Sequence, residues 1–119
     1  MRAIRLDPSG SATELEVETL DDFQSAVSGF IWPVNLGLGD DFRLDVVMFC
    51  NESSFTTPEL LAENRLATEI VAFSSGEPLT IHGPVLLTGL DRDTGHEISL
   101  PADITIEKLE ERETWIDKS

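Results

Sequence analysis

Asn51, Glu52, Asn64 and Arg65 are the side chains whose types suit them best to hold a ligand. The two amides offer donors and acceptors together. Arg65 offers a planar guanidinium that can grip an anion or the Glu52 carboxylate at two points. All four flank one loop–helix segment. Amides at the ends of elements also satisfy stray backbone groups, so a structural polar network and a ligand or partner site are both open.

The remaining reactive side chains do not assemble into a motif. Cys50, His82 and His96 lack the paired spacings of a zinc site and read as a core thiol and two solvent-facing imidazoles. Asp91-x-Asp93-x-Gly95 starts like a calcium loop, but Gly95 and His96 stand at positions five and six, and no Glu closes the loop downstream. Asp and Gly at these positions predict a hairpin turn instead. Gly37-Leu38-Gly39 lacks the third Gly and the Lys of a phosphate loop. No Ser sits in a Gly-x-Ser-x-Gly elbow, and no His has the setting of a general base. The expectation is a protein without catalytic residues, metal or cofactor.

Carboxylates are the dominant chemistry. Across 119 residues, 23 acidic side chains face 8 basic ones, a formal charge of −15. That excludes direct nucleic-acid binding through the phosphate backbone, which needs cations to displace counterions. Two sets stand out: Glu14, Glu16 and Glu18 followed by Asp21 and Asp22, and Glu107, Glu110, Glu111, Glu113 and Asp117 near the end. Glu107 and Glu111 fall one helical turn apart, so like charges repel along that helix. Such density suits solubility, a saline habitat, or a basic partner.

The elements that must position these groups follow from periodicity. Arg2 to Leu6 and Thr13 to Glu18 predict a hairpin through Asp7-Pro8-Ser9-Gly10, with Leu15 and Val17 on one side and the glutamates on the other. Thr19 or Asp21 caps a helix from Leu20 to Ser28, with Leu20, Phe23 and Val27 on its buried stripe and Gly29 after it. Phe30 to Val34 and Phe42 to Cys50 predict a second hairpin around Gly37–Asp41, Pro33 making the former an edge strand or a bulged one. Phe42, Leu44, Val46, Met48 and Cys50 share one face. Asn51 to Pro58 is loop-like, and Glu59 to Val71 predicts a helix buried through Leu60, Leu61, Leu66, Ala67 and Ile70. Pro84 to Leu90 is a strand covered on both faces, and a turn leads into His96 to Leu100. Asp103 caps a last helix with Ile106, Leu109 and Ile116 inward. The predicted class is α+β: one domain over 1–119, a small, mostly antiparallel sheet with two or three helices packed on one face.

The order of these pieces resembles a family of small actinobacterial and phage proteins known as domain of unknown function 3846. The match runs through the opening strand and its Asp-Pro turn, Leu20 to Gly29, Cys50-Asn51-Glu52 with Asn64-Arg65, and His82 to Asp91. It departs at Ser53 to Pro58, where a more charged turn is expected. The resemblance implies a phage or mobile-element context and no assigned chemistry.

The expected function is therefore binding: a non-enzymatic accessory protein engaging a basic host-protein surface through an acidic face, in the manner of a DNA mimic. Trp115, Ile116 or Trp32 would serve as apolar anchors. The alternative is a nucleotide or metabolite site at Asn51, Glu52, Asn64 and Arg65. The N-terminus has no apolar signal region, and no run approaches membrane-spanning length, so the expected location is the cytoplasm, with no membrane partner. The edge strand and two tryptophans leave monomer and dimer both open.

Overall fold

A computed structural model describes residues 1–36, 45–75, 79–91, 93–102 and 104–110. The first hairpin joins β1 (Arg2–Leu6) to β2 (Ala12–Glu16), and the second joins β3 (Ile31–Leu36) to β4 (Asp45–Asn51). β5 (Val85–Leu90) then inserts between them, giving the order β2-β1-β5-β4-β3 with every pairing antiparallel. The two-residue β6 (Glu97–Ile98) pairs with Gly89 and Leu90 at the end of β5.

Alternation in the middle strands divides the core. Val46, Met48 and Cys50 of β4 and Val85 and Leu87 of β5 face one way; Val47, Phe49 and Leu86 face the other. The near-continuous apolar run of β5 reflects cover on both sides. Helix α3 (Arg65–Ser75) packs Leu66, Ala67, Ile70 and Val71 onto the first face, and α4 (Ile106–Glu110) adds Leu109. Helix α1 (Leu20–Val27) seals the second face with Phe23, Ala26 and Val27, the Phe23 ring meeting Phe49 edge-on at 5.0 Å. The class is α+β. Two helices share a face as expected, and α1 takes the opposite one because the central strands are apolar on both sides.

Several boundaries differ from the pattern. Thr19 is the cap of α1: its hydroxyl accepts from Asp22 N–H, and the Asp22 carboxylate accepts from Thr19 N–H. Leu20 is exposed, so the buried stripe of α1 is Phe23, Ala26 and Val27. Ser28, not Gly29, takes the left-handed conformation that ends the helix (φ 63°). The polar segment after β4 contains a one-turn helix, α2 (Ser53–Thr56), and a 3₁₀ turn over Pro58–Leu60.

The predicted helix from Glu59 begins only at Arg65. Residues 61–64 instead run extended against 81–83: Gly83 N–H donates to Ala62 C=O and Asn64 N–H to Ile81 C=O, both at 2.8 Å. Leu60 accordingly lies exposed rather than in the core. The Gly37–Asp41 loop, Phe42, Leu44, Asp103 and everything from Glu111 onward, Trp115 and Ile116 included, lie outside the described residues.

Candidate functional site

Asn64 is 1% exposed and fully engaged. Its Nδ2 donates to Leu6 C=O (3.0 Å) and Gly83 C=O (2.9 Å), while its Oδ1 accepts from Ala67 N–H (3.2 Å). One amide thus caps α3 and pins it to β1 and to the approach of β5. Thr68 reinforces the joint, its hydroxyl donating to Asn64 C=O and accepting from Ile81 N–H.

Asn51 performs the same work on the other side of the sheet. Its Nδ2 donates to Val27 C=O (3.0 Å) and Ser28 C=O (3.2 Å), orphan carbonyls at the end of α1, and its Oδ1 accepts from Ser53 N–H (2.8 Å). This contact explains Gly29. A Cβ there would stand 2.8 Å from Asn51 Nδ2, so the glycine makes room for the amide rather than supplying a positive φ.

Glu52 and Arg65 complete the predicted quartet without completing a site. Both are exposed, and Arg65 reaches Glu69 one turn along α3 (Nε–Oε1 3.6 Å) rather than Glu52. With the two amides turned inward onto backbone, these four residues do not converge on a common cavity. Polar asparagines at element ends are structural here.

The acidic strip behaves differently. Glu14 and Glu16 on β2, Glu18 beyond it, and Asp21 and Asp22 at the start of α1 are all exposed. Arg2 forms an ion pair with Glu14, and the Met1 amine lies 3.3 Å from Glu16 Oε2 and 2.9 Å from Glu18 Oε1. Five carboxylates therefore meet two cations, an excess of three negative charges. The glutamates still look into solvent: the side chains of Glu16 and Glu18 are 77% and 75% exposed. Glu107 and Glu110 are exposed on α4, which approaches β2, with Lys108 between them; Glu111 lies outside the described residues.

Asp22 has a structural duty within this strip. Hydrogen bonds from Glu18 N–H (2.8 Å) and Thr19 N–H (3.1 Å) hold its carboxyl below the ordinary range. The Met1 amine is pushed up, chiefly by its hydrogen bond with Glu18.

Arg2 is the organising residue that the sequence reading missed. Its guanidinium donates to the carbonyls of Leu100, Pro101 and Ile104, fastening the lead into α4 against β1. The available signal was the hairpin register, which sets Arg2 opposite Glu16 and diagonal to Glu14.

The other chemical candidates are engaged locally. Asp91 Oδ1 accepts from Asp93 N–H and its carbonyl from Gly95 N–H, making the hairpin turn. Burial pushes the Cys50 thiol up to about 12, which keeps it protonated near neutrality. His82 is half-buried rather than solvent-facing. Its Nδ1 lies 3.0 Å from Leu61 C=O, an acceptor, which selects the tautomer protonated there. Among the described residues, no three His, Cys, Asp or Glu side chains gather to hold a metal, and no helix is long and apolar enough to cross a membrane.

The class defined by this arrangement is a small α+β domain whose buried amides join helices to a six-stranded antiparallel sheet. Residues 1–114 match the family described as Domain of unknown function (DUF3846), and the chain belongs to that family. No curated protein and no solved structure matches it.

Proposed function

We propose that this protein acts by binding rather than by catalysis, engaging a basic surface of a host protein through the strip from Glu14 to Asp22 and the adjoining α4. The context we infer is that of a phage or mobile-element accessory protein working in the host cytoplasm. The observation that supports this reading is the exposure of Glu16 and Glu18, whose carboxylates share a single amine and otherwise face water. The strand fixes the backbone positions of Glu14 and Glu16, so a cationic partner meets carboxylates at a set spacing. Long-range attraction steers the encounter, and the apolar contacts that follow set the residence time. The small-ligand reading is set aside because Asn51 and Asn64 have no polar atom left to offer.

The test is capture of a partner from host lysate with wild type and with the Glu14→Lys, Glu16→Lys, Glu18→Lys triple variant. The expected result is one partner retained at low salt, released as salt rises, and absent with the variant. Capture that is indifferent to both salt and charge reversal would refute the electrostatic reading.

A further inference from the structure

We propose that the open edge of β3 takes up an extended segment of the basic partner as an additional strand, anchored over Trp32 and Phe30. This rests on the reading that the partner is basic, and it names a second contact surface, at the opposite edge of the sheet from the acidic strip.

Among the described residues, β3 pairs only with β4. Phe30 C=O accepts from Glu52 N–H at 2.8 Å, and the register sets Trp32 opposite Cys50, Val34 opposite Met48 and Leu36 opposite Val46. Hydrogen-bonded pairs alternate in an antiparallel ladder, so Phe30, Trp32, Val34 and Leu36 bond inward to β4. Ile31, Pro33 and Asn35 turn their backbone groups outward. Pro33 therefore removes no ladder bond, and the free edge keeps the N–H groups of Ile31 and Asn35 with three carbonyls.

The side chains beside that edge are apolar and left in water. Phe30 is 71% and Trp32 51% exposed, with the Trp32 ring 5.8 Å from Phe55 of α2. The nearest charge is negative: exposed Glu52 bonds through its backbone N–H to Phe30 C=O, and neither β3 nor the strand β4 beside it contains a Lys or Arg.

Charge complementarity selects the occupant. A second copy would bring the same glutamate and a formal charge of −15, and symmetrical pairing about Pro33 would lose both bonds at its centre. A strand alternating Arg or Lys with apolar residues bonds to Ile31 and Asn35 and lays cations across the indole face of Trp32 beside Glu52.

The probe is a blocked hexapeptide of alternating arginine and valine, followed by residue-resolved amide NMR and hydrogen exchange, with a glutamate–valine peptide as control. The expected result is shifts at Phe30 to Asn35 and exchange at the Ile31 and Asn35 amides slowed on the order of tenfold or more. The control peptide leaves both unchanged. Trp32→Ala should weaken the peptide by about tenfold while unchanged β1 and β5 amides report an intact fold. Shifts confined to Glu14–Asp22 and α4 would overturn the β3 site and leave the acidic strip standing. No shift at any residue with saturating peptide would overturn both.

Discussion

The segment from Asn51 to Arg65 and the strip from Glu14 to Asp22 hold the two most suggestive groups of polar side chains, and they use them in opposite ways. In the first, the amides are buried and every polar atom meets a backbone partner. In the second, the carboxylates sit on an edge strand and a helix start, tethered to two cations yet open to solvent. Burial decides which group builds the fold and which is left for recognition. A buried amide without partners is costly, so it is retained where backbone needs it, whereas an exposed glutamate costs little and contributes little to stability.

The largest loss of stability is expected at Asn64. Asn64→Ala orphans the carbonyls of Leu6 and Gly83 and uncaps α3, and should cost on the order of 4 kcal/mol in urea denaturation. A near-neutral result would show that the amide does not join the layers. Asn51→Ala should cost about 2 kcal/mol by the same measurement, since Val27 and Ser28 carbonyls lose their donor.

Gly29→Ala tests the same amide from its neighbour. Alone it should cost about 1–3 kcal/mol, because the new methyl displaces an amide fixed by three hydrogen bonds. Combined with Asn51→Ala, most of that cost should vanish. Full additivity would mean that Gly29 answers to something other than Asn51.

On the exposed side, Glu16→Lys with Glu18→Lys should change stability by no more than about 1 kcal/mol while abolishing salt-sensitive capture of the partner. A large loss of stability would move these glutamates into the structural group.

The smallest effect concerns Asp22, which belongs to both groups. Its folded carboxyl titrates below the unfolded one, so its contribution is complete above the unfolded value and is lost as pH falls through the folded value. The stability difference between wild type and Asp22→Ala should shrink on acidification from about pH 5 to about pH 2. A difference that persists at the acid end would mean that the charge is irrelevant to the cap.

Much of this was legible in residue order. The Asp7–Gly10 turn, the alternation of β2 and the two-sided cover of β5 all follow from local pattern, which also narrows the cap of α1 to Thr19 or Asp21 and β3 to an edge or bulged strand. The start of α3 did not, because Leu61 to Asn64 have helical propensity but find better backbone partners in 81–83, distant in sequence. Nor did the side taken by α1, since Val46 to Cys50 are apolar at every position and mark no preferred face. At the candidate site, the quartet was found by residue type. Its structural use was fixed by the Leu6 and Gly83 carbonyls, which only the folded chain brings to Asn64.

The insertion of β5 between the two hairpins carries a kinetic consequence. Ile4 and Met48 must both find Leu87, so each hairpin lacks its inner neighbour until β5 has been synthesised, and the first waits the longer. Closure of such a long loop slows the late step and lengthens the life of an intermediate with bare strand margins. Refolding should thus show a slow phase reported by β1, and chaperone dependence should be greatest in the interval before β5 emerges.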